Sequence, residues 1–490
     1  MKLSFKPPIL ILGLILLLGL FFRTYKSVEQ FDFGHDADLY SWIVKDIVVD
    51  HHIRLIGQLT SAPGIFIGPL FYYSIIPFFV LGNMNPLSTI IFAAFLGLCT
   101  ILSYYFVVGK LFNKETGLIS AFLYSCLLVT INYDRLVVPT ITTSIWAIWY
   151  LFVIVKISRR DFSVLPILGI LVGLIWHIHI ALIPTLIAIP VAFFISKIIP
   201  TRKQILLFFL AIFVTSIPLL AFELRHNFQQ TIALFQNFTS SHEGKKGFDK
   251  LLQVLYMIAQ NTNSLIFSPL SFKFTENLFF VVLLLVSPLA ILKQKIIFLG
   301  DLIPIYSWVL GMMLFFALSS SPVSEYYFSN MQVIFIVILS ILLAFLFKKS
   351  KILSVFVLSV LGFILIKNIY FITTVDIYHK GYAEKKAIID VIKADMISKN
   401  YPCVGISYIT TPGENVGFRY LLYLNNVHLN HPSVKIPVYN IIIPDELSPE
   451  QKLKFGHIGL ILPQGKFENL QDECSSENTN LTDSVFGFVK

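Results

Sequence analysis

One short stretch near the N-terminus combines residue types that could carry out acid–base chemistry. Asp36 and Asp38 follow His35 within the segment Gly34–Tyr40. A carboxylate held within hydrogen-bond reach of a hydroxyl can accept its proton and make it a nucleophile. The structural alternative is that Asp36 is the N-cap of a helix whose dipole Asp38 favours. From these residues alone, the base and the cap are equally well supported.

Further ionisable residues stand at the ends of later apolar runs, all on one predicted side of the membrane. Such residues are costly at bilayer depth and usually functional, although each could also be a cap, a snorkelling side chain or an interfacial aromatic. Taken alone, His177 is better explained by packing. An arginine among them could bind a phosphate or pyrophosphate with both arms of its guanidinium. The residues are Asp134, Arg135, His177, His179, Glu223, Arg225, His226, Glu325, Tyr326 and Tyr327.

Other chemistries have no support in the sequence. There is no HExxH, no Walker loop, no GxGxxG before a helix and no GxSxG, so ATP-driven transport and serine hydrolysis are not indicated. His177 and His179 lack a nearby third ligand and do not share a helical face, so we predict no metal site from them. Of the four cysteines, Cys403 and Cys474 lie in the polar tail and could pair only there.

The elements that must position these residues are membrane helices. The chain has 490 residues, of which 56% are hydrophobic and only 13% charged, and its mean hydropathy is +0.77. A soluble protein carries nearly twice that charged fraction, and the same composition excludes disorder, collagen, coiled coil and a disulfide scaffold. The net charge of +9 does not indicate nucleic acid, because lysine and arginine gather in cytoplasmic loops. We predict a mainly α-helical, polytopic membrane protein.

Apolar runs of roughly 17 to 25 residues are needed to span a bilayer. The first run follows Lys2 and Lys6 and has no small-residue cleavage site behind it, so we expect an uncleaved first helix. The predicted runs lie at about 7–22, 66–81, 87–108, 118–131, 136–157, 164–179, 180–196, 205–222, 276–292, 301–318, 329–347 and 352–371.

Basic loops orient these runs, because lysine and arginine favour the cytoplasmic side. With about twelve crossings the basic loops cannot all lie on one side, whereas with about eleven they can. We expect the run at 66–81 not to cross fully, because Gly68, Pro69 and Pro77 interrupt it. The alternative is that 180–196 does not cross. The loops are Lys110–Lys114, Lys156–Arg160, Lys197–Lys203, Lys293–Lys295 and Lys348–Lys351.

The composition changes near residue 371. We predict a transmembrane module over 1–371, with a first outer loop at 23–65, and an extracytoplasmic α/β domain over 372–490. Within the first loop, Leu39, Ile43 and Ile47 recur every four residues, which predicts an amphipathic helix along the membrane surface. The tail is predicted to contain a helix near Ala383–Ser398 and strands at Cys403–Ile409, Val438–Ile443 and Ile458–Leu462.

The region 1–371 resembles a known family. The acidic stretch Gly34–Tyr40, followed by Asp50, Gly57 and Gly68–Tyr73 before an apolar run, is similar to the polyprenyl-phosphate-sugar-dependent glycosyltransferases of the GT-C fold. Within that fold it looks most like the protein mannosyltransferase and aminoarabinose transferase superfamily. The resemblance implies a GT-C-like bundle of about 11–12 transmembrane helices.

By this resemblance, the protein is an integral membrane enzyme that transfers a hexose or pentose from a lipid phosphate on the outer face of the cell membrane, with inversion. Asp36 corresponds to the catalytic base; Asp38 completes the acidic pair one residue later than the glutamate usual in the family. The implied donor-binding residues are Arg135, Arg225, His226, His177, His179 and Tyr327, and the same comparison assigns His35, Tyr40 and Tyr72 to the acceptor.

The implied partners are the bilayer, a polyprenyl-phosphate-linked sugar and a glycan, lipid or protein acceptor, with no nucleic acid. The lipid carrier supplies the activated sugar, so no soluble cofactor is needed, while use of a divalent metal stays open. A rival hypothesis is a lipid or sugar transporter or flippase without transferase activity. Transporters usually have matching halves with broken helices at the midplane, and we find no such pairing here.

Overall fold

The computed structural model is a helical bundle with a small mixed sheet near the C-terminus. The predicted apolar runs overlap helical backbone wherever the structure describes them, and the run at 276–292 lies partly outside the described residues. The described residues are 7–60, 62–239, 247–268, 279, 282–293, 297–319, 323–374, 380–414, 416–433, 435–449, 452–467, 470–485 and 487–488.

The helices of the bundle are numbered in chain order. They are α1 Pro7–Thr24, α2 His35–Val48, α3 Leu70–Leu81, α4 Thr89–Leu111, α5 Lys114–Cys126, α6 Leu128–Arg135, α7 Thr143–Ser158, α8 Leu165–Ile178, α9 Ala188–Ser196, α10 Arg202–Arg225, α11 Gln229–Thr239, α12 Gly247–Phe267, α13 Ser287–Lys293, α14 Leu299–Leu318, α15 Gln332–Lys349 and α16 Lys351–Thr374.

Several helices are long and apolar enough to cross a membrane. Among the described residues, 6 helices meet this test by length and composition, and a seventh span results if α5 and α6, which are bent by 62° at their junction, are taken as one. Shorter apolar helices, including α1, α8 and the 3-10 segment Ile180–Ile187 continued by α9, lie among them. The prediction of a polytopic membrane protein is therefore confirmed.

The described basic loops converge on one face of the bundle, here called the basic face. Arg159 donates to the Leu111 carbonyl at 2.9 Å and pairs with Asp301 at 2.8 Å. Lys348 pairs with Glu115 at 3.2 Å. These contacts join the loops that follow α4, α7 and α15 to the start of α14, as the positive-inside rule requires.

Helix α3 begins and ends on the opposite face, here called the tail face because the C-terminal segment lies there. Before α3, Gly68 donates its N–H to the Trp176 carbonyl, at 2.8 Å, near the end of α8. After α3, the Met84 carbonyl accepts from the Tyr420 hydroxyl at 2.8 Å, and Asn85 bonds Tyr382 at 3.1 Å. Both ends of the 12-residue α3 therefore contact the tail face, which agrees with the prediction that 66–81 does not cross fully.

The break between α5 and α6 is filled by side chains from other helices. Leu127 is extended at this point, which frees backbone carbonyls that a bilayer cannot hydrate. Arg23 of α1 donates to the Ser125 carbonyl at 3.1 Å, and Asn368 of α16 donates to the Cys126 carbonyl at 2.6 Å. The same Arg23 guanidinium pairs with Asp134 of α6 through Nε at 2.8 Å. This buried ion pair fixes the tail-face end of α1.

The C-terminal segment forms the predicted α/β unit. Strand order is β1-β2-β4-β3, with β1 parallel to β2 and the other pairs antiparallel. The predicted helix and strands are present, β3 was missed, and Cys403 and Cys474 form a disulfide. The elements are α17 Tyr382–Lys399, β1 Gly405–Thr410, α18 Arg419–Leu424, β2 Val438–Ile443, β3 Leu453–Phe455, β4 Ile458–Ile461, α19 Leu470–Glu473 and α20 Thr479–Thr482.

This unit shares one hydrophobic core with the first loop. Phe33 and Tyr40 of the N-terminal part lie in the same buried cluster as Ile388 of α17 and Tyr420 of α18. Helix α2 is therefore packed between α3 and the tail, and its interleaved Asp46 is buried. The amphipathic helix predicted in the first loop is present as α2, but two of its polar residues, Asp38 and Asp46, are buried against the rest of the fold.

Loss of one partner of the Arg23–Asp134 pair should be strongly destabilising. Both side chains are almost fully buried, and removing one partner of such a pair costs roughly 3–5 kcal/mol because the other charge stays buried. We expect Asp134→Asn to lower the thermal unfolding temperature in detergent far more than Glu115→Gln, which breaks a half-exposed pair worth about 1 kcal/mol or less. Equal, small shifts for both variants would contradict the role given to the buried pair.

Candidate active site

Asp36 lies exposed in the first turn of α2 on the tail face. The N-cap of α2 is Gly34, which has no side-chain cap, so the hypothesis that Asp36 is the N-cap is wrong. The Asp36 carboxylate accepts a hydrogen bond from the Gln58 amide, with 3.0 Å between Nε2 and Oδ1. Asp36 is thus a solvent-accessible carboxylate with a defined orientation.

Gln58 belongs to a short antiparallel pairing of residues 57–60 with 65–67, here called the outer hairpin. Gly57 donates its N–H to the Ile67 carbonyl at 2.7 Å, and Ile67 donates back to the Gln58 carbonyl at 3.0 Å. Glycine is required at 57, because a Cβ there would lie 2.0 Å from the Tyr72 ring. This close approach brings the Gln58 backbone against the Tyr72 hydroxyl, which accepts its N–H at 3.0 Å.

Asp38 has a different environment from Asp36, although the sequence groups the two as a catalytic pair. Its carboxylate is buried and accepts the Tyr420 N–H at 2.8 Å. Burial raises the pKa of Asp38 to about 6, against the smaller effects of this hydrogen bond and of Lys385. The contact joins α2 to α18, so Asp38 connects the tail to α2 and does not share the exposed surface of Asp36.

Lys385 of α17 makes the second connection between the tail and the first loop. Its buried ammonium donates to the carbonyls of Phe33, at 2.6 Å, and Val416, at 2.5 Å. Burial lowers the pKa of Lys385 to about 8, and the nearby Asp38 acts in the opposite direction. Gly417 packs so closely on Gly34 that a Cβ at 417 would lie 2.5 Å from the Gly34 carbonyl oxygen. The tail thereby holds the start of α2.

Arg225 and His226 form the exposed end of α10 beside the outer hairpin. Arg225 makes no hydrogen bond or ion pair with any residue that the structure describes, and the His226 ring stacks on Phe222 with centroids 4.1 Å apart. The hairpin reaches this end of α10 because Phe66 packs against Phe222 and donates its N–H to Gln230 at 2.9 Å. Arg225 is therefore available to an anion at this surface.

The buried Glu223 beside them has a structural task. Its two carboxylate oxygens accept the N–H groups of Gln230, at 3.1 Å, and Thr231, at 3.0 Å. These are the first N–H groups of α11, which have no partner within the helix. Glu223 therefore fixes the turn between α10 and α11 on which Arg225 stands.

The other predicted donor-binding side chains are occupied by structural contacts. Arg135 donates to Gln30 at 2.7 Å and to the Tyr25 carbonyl, away from the outer hairpin. His177 accepts the Leu70 N–H through Nδ1 at 3.3 Å and contacts the Thr215 carbonyl through Nε2 at 2.9 Å. The structural alternative to the donor role is therefore well satisfied for both residues.

His179 and Tyr327 lie together in an aromatic cluster. His179 accepts the Ala181 N–H at 3.0 Å as the N-cap of the 3-10 segment that follows α8. Its ring centroid lies 5.2 Å from that of Tyr327 and 5.5 Å from that of Tyr326. This aromatic cluster packs the end of α8 against the segment before α15.

The predicted acceptor-binding residues also separate. Tyr40 is fully buried, with its ring between Phe71 at 5.8 Å and Phe79 at 6.1 Å, so it belongs to the core and not to an acceptor surface. Tyr72 is buried, and its hydroxyl donates to the Gln58 side chain, which in turn donates to Asp36. His35 is half-buried beside Asp36, and burial lowers its pKa. Of the three, only His35 lies at the surface next to the carboxylate.

Asp36 does not belong to a group of possible metal ligands among the described residues. Within the described part of the chain, the one group of three possible metal ligands is Asp445, Glu446 and His457 in the tail. There, Asp445 is already paired with Lys454 at 2.7 Å. Divalent metals such as Mg²⁺ and Ca²⁺ bind oxygen ligands, whereas the Gln58 amide turns its N–H toward Asp36. We derive no step through a metal.

The bundle, the acidic first loop and the small α/β unit on the same face define a class, the GT-C fold of membrane glycosyltransferases. Residues 66–222 match the family model described as dolichyl-phosphate-mannose-protein mannosyltransferase. No curated protein matches the chain. The resemblance inferred from the sequence is thus confirmed, and the chain is a membrane protein similar to the GT-C glycosyltransferases.

Solved structures share this fold at low sequence identity. ArnT from Cupriavidus metallidurans bound to undecaprenyl phosphate aligns with a TM-score of 0.56 and 11% identity, over 92% of this chain and 97% of that one. Its apo structure aligns with a TM-score of 0.55 and 10% identity, over the same shares. The Archaeoglobus fulgidus oligosaccharyltransferase aligns with a TM-score of 0.48 and 15% identity, over 85% of this chain and only 64% of that one.

Proposed function

We propose that the protein transfers a sugar from a polyprenyl-phosphate carrier to an acceptor on the tail face, with Asp36 as the general base. The observation that carries the proposal is the exposed Asp36 carboxylate, oriented by Gln58 at the start of α2. Of the other acidic residues of the predicted constellation, Asp38, Asp134 and Glu223 are buried and bonded within the fold, and Glu325 is exposed. The similarity to ArnT, a protein that binds undecaprenyl phosphate, favours a lipid-linked donor.

An apolar groove beside the outer hairpin is suited to the lipid chain of such a donor. The groove has a volume of about 260 Å³ and is lined by α3, α4, α7 and α8, including Phe71, Trp146 and Leu174. It opens beside Leu70 and His177, at the point where α3 starts. An isoprenoid chain in this groove would bring its phosphate to the tail face, near the level of Asp36 and Arg225.

The proposed reaction is a single displacement at the anomeric carbon. Asp36 takes the proton from an acceptor hydroxyl or amine, whose oxygen or nitrogen then bonds to the anomeric carbon. The bond from that carbon to the lipid-phosphate oxygen breaks, and the phosphate leaves with the electron pair. Attack from the side opposite the leaving group inverts the configuration. The Arg225 guanidinium, with His226 beside it, stabilises the departing phosphate.

We also propose that the tail face is extracytoplasmic. Two observations support it: the basic loops lie on the opposite face, and the tail contains the disulfide Cys403–Cys474, a bond typical of oxidising compartments. The sugar and the acceptor, whether glycan, lipid or protein, are not determined by these features.

Asp36→Asn should abolish most transfer while the protein stays folded. Asparagine keeps the size and can still accept the Gln58 hydrogen bond, but it cannot take a proton, so turnover should fall roughly 10²–10⁴-fold. The measurement is transfer of labelled sugar from polyprenyl-phosphate donors by purified protein, with donor binding measured separately. Asp50→Asn, an exposed carboxylate beyond the other end of α2 that pairs with Lys45, is the matched control. Near wild-type turnover of Asp36→Asn would refute the base assignment.

Arg225→Ala should weaken binding of the lipid phosphate, and Arg225→Lys should restore only part of it, because lysine lacks the planar fork. Binding of undecaprenyl phosphate to the detergent-solubilised protein is the measurement, with an expected loss of roughly tenfold for alanine. Arg202→Ala is the control, since Arg202 is exposed at the basic-face end of the same helix. Equal affinities for the Arg202 and Arg225 variants would show that the phosphate binds elsewhere.

Cysteine labelling tests the orientation. Ser433 is exposed on the tail and Ser350 is exposed on the basic face. A membrane-impermeant maleimide should label Ser433→Cys in intact cells, and should label Ser350→Cys only after permeabilisation. The unsubstituted chain is the control for its own cysteines. Labelling of Ser350→Cys in intact cells would reverse the proposed orientation and move the site to the cytoplasm.

A further inference from the structure

Helix α11 and the residue before it expose large apolar side chains on one side, at the tail face. Phe228 is 53% exposed, Ile232 is 50% exposed and Phe235 is 67% exposed. Ile232 donates its N–H to the Phe228 carbonyl at 2.9 Å, so Phe228 stands one turn before it, and Phe235 follows three residues later. An exposed apolar surface of this kind marks a site of contact with a partner or a membrane.

The opposite side of α11 packs against the outer hairpin. Asn237 donates to the Pro63 carbonyl at 3.0 Å, and Gln230 accepts a hairpin N–H at 2.9 Å. Between them, a Cβ at Gly64 would approach the Ala233 Cβ to 2.8 Å. The three residues of α11 recur every three or four positions and therefore share one helical side. The hairpin thus rests on one side of α11, and the apolar side faces away from it.

The apolar side of α11 continues the exposed surface of α10. Helix α10 is one of the candidate membrane spans, and almost all of its apolar stretch is exposed. Its exposed side chains include Phe213, Ile217 and, in the last turn at the tail face, Leu224, which is 70% exposed. Phe228 follows Leu224 by four residues. Because a span with this surface meets lipid along its length, the apolar surface that continues from its end lies at the edge of the same bilayer.

The composition and length of α11 also favour a lipid surface over water. The helix contains no charged residue, whereas the open face of a helix in water is normally polar or charged. With 11 residues, it is too short to span a bilayer, which takes roughly 17–25 residues. An uncharged helix that adjoins a span and has one apolar side is suited to lie along the membrane surface.

We propose that α11 is an interfacial helix that inserts Phe228, Ile232 and Phe235 into the lipid surface at the tail face and holds the outer hairpin against the bilayer. A helix with its side chains is about 10 Å across, so the hairpin lies about one helix diameter above the acyl chains. Since the hairpin carries Gln58, α11 sets the height of the Asp36 surface above the membrane. The proposal concerns membrane contact and stands whether or not Asp36 is a base.

Nitroxide spin labels measure the position of this surface directly. The labels are placed at Phe228→Cys and Ile232→Cys in the full chain, reconstituted in vesicles of phosphatidylethanolamine and phosphatidylglycerol. The chain without an added cysteine is the labelling blank. Accessibility to oxygen, which concentrates in lipid, is compared with accessibility to a water-soluble nickel chelate. Leu210→Cys, on the exposed side of α10, is the lipid reference, and Ser433→Cys, exposed on the tail, is the water reference.

Both α11 labels should favour oxygen over the nickel chelate and report a depth between the two references, about 5–10 Å into the headgroup and acyl boundary. Water-like values equal to those of Ser433→Cys would overturn the proposal. So would a depth equal to that of Leu210→Cys, which would place α11 in the hydrocarbon core. Low accessibility to both reagents would show that a protein surface covers this side, and would overturn the proposal as well.

Hydrogen–deuterium exchange tests the link from α11 to the outer hairpin. Ile232→Asp places a carboxylate among the acyl chains, where it is costly, and should raise the exchange rate of the hairpin peptide that contains Phe66 roughly tenfold in the same vesicles. Gln229→Asp, the same change at an exposed polar position of the first turn, is the matched control and should leave this rate unchanged. An unchanged rate in Ile232→Asp, or an equal rise in Gln229→Asp, would overturn the anchoring of the hairpin by membrane contact.

Discussion

The buried Arg23–Asp134 pair fixes the geometry on which the tail face depends. A membrane span that breaks at Leu127 leaves carbonyls that lipid cannot satisfy. Arg23 donates to two of these, the carbonyls of Tyr124 and Ser125, and also neutralises Asp134. The room for its guanidinium comes from Gly97, where a Cβ would lie 2.3 Å from the Arg23 Nε. Arg23 stands in the last turn of α1. The ion pair therefore fixes the start of the first loop relative to the break between α5 and α6.

Between the first loop and the tail, buried polar groups are paired with each other. Asp38 meets the Tyr420 N–H, and Lys385 meets carbonyls of both the first loop and the tail. An unpaired charge at these depths would cost several kcal/mol, so each contact specifies how the tail seats on α2. The hydrophobic core shared by Phe33 and Tyr420 provides the bulk of the association. The composition therefore changes near residue 371, but the tail and the first loop share one hydrophobic core.

The sequence predicted the parts whose signal is local. Apolar runs located the helices, the glycine and prolines of 66–81 indicated a segment that does not cross fully, and short strand-like runs located three strands of the tail. The roles of Arg135 and His177 could not be predicted, because each depends on a partner about a hundred residues away. Gln58 was missed for another reason. An amide in a loop has no distinguishing sequence pattern, and its role depends on its contacts with Asp36 and Tyr72.

Helical spacing explains why Asp36 and Asp38 have different environments. Residues two apart on a helix point to different faces, so the carboxylates of Asp36 and Asp38 cannot both face one substrate. In this fold one face of α2 is covered by the tail, and the carboxylate on that face is committed to Tyr420. The other face stays open and receives the Gln58 amide. Asp38 therefore connects α2 to the tail. The chemistry proposed here needs a single carboxylate, and the geometry of α2 leaves one at the surface.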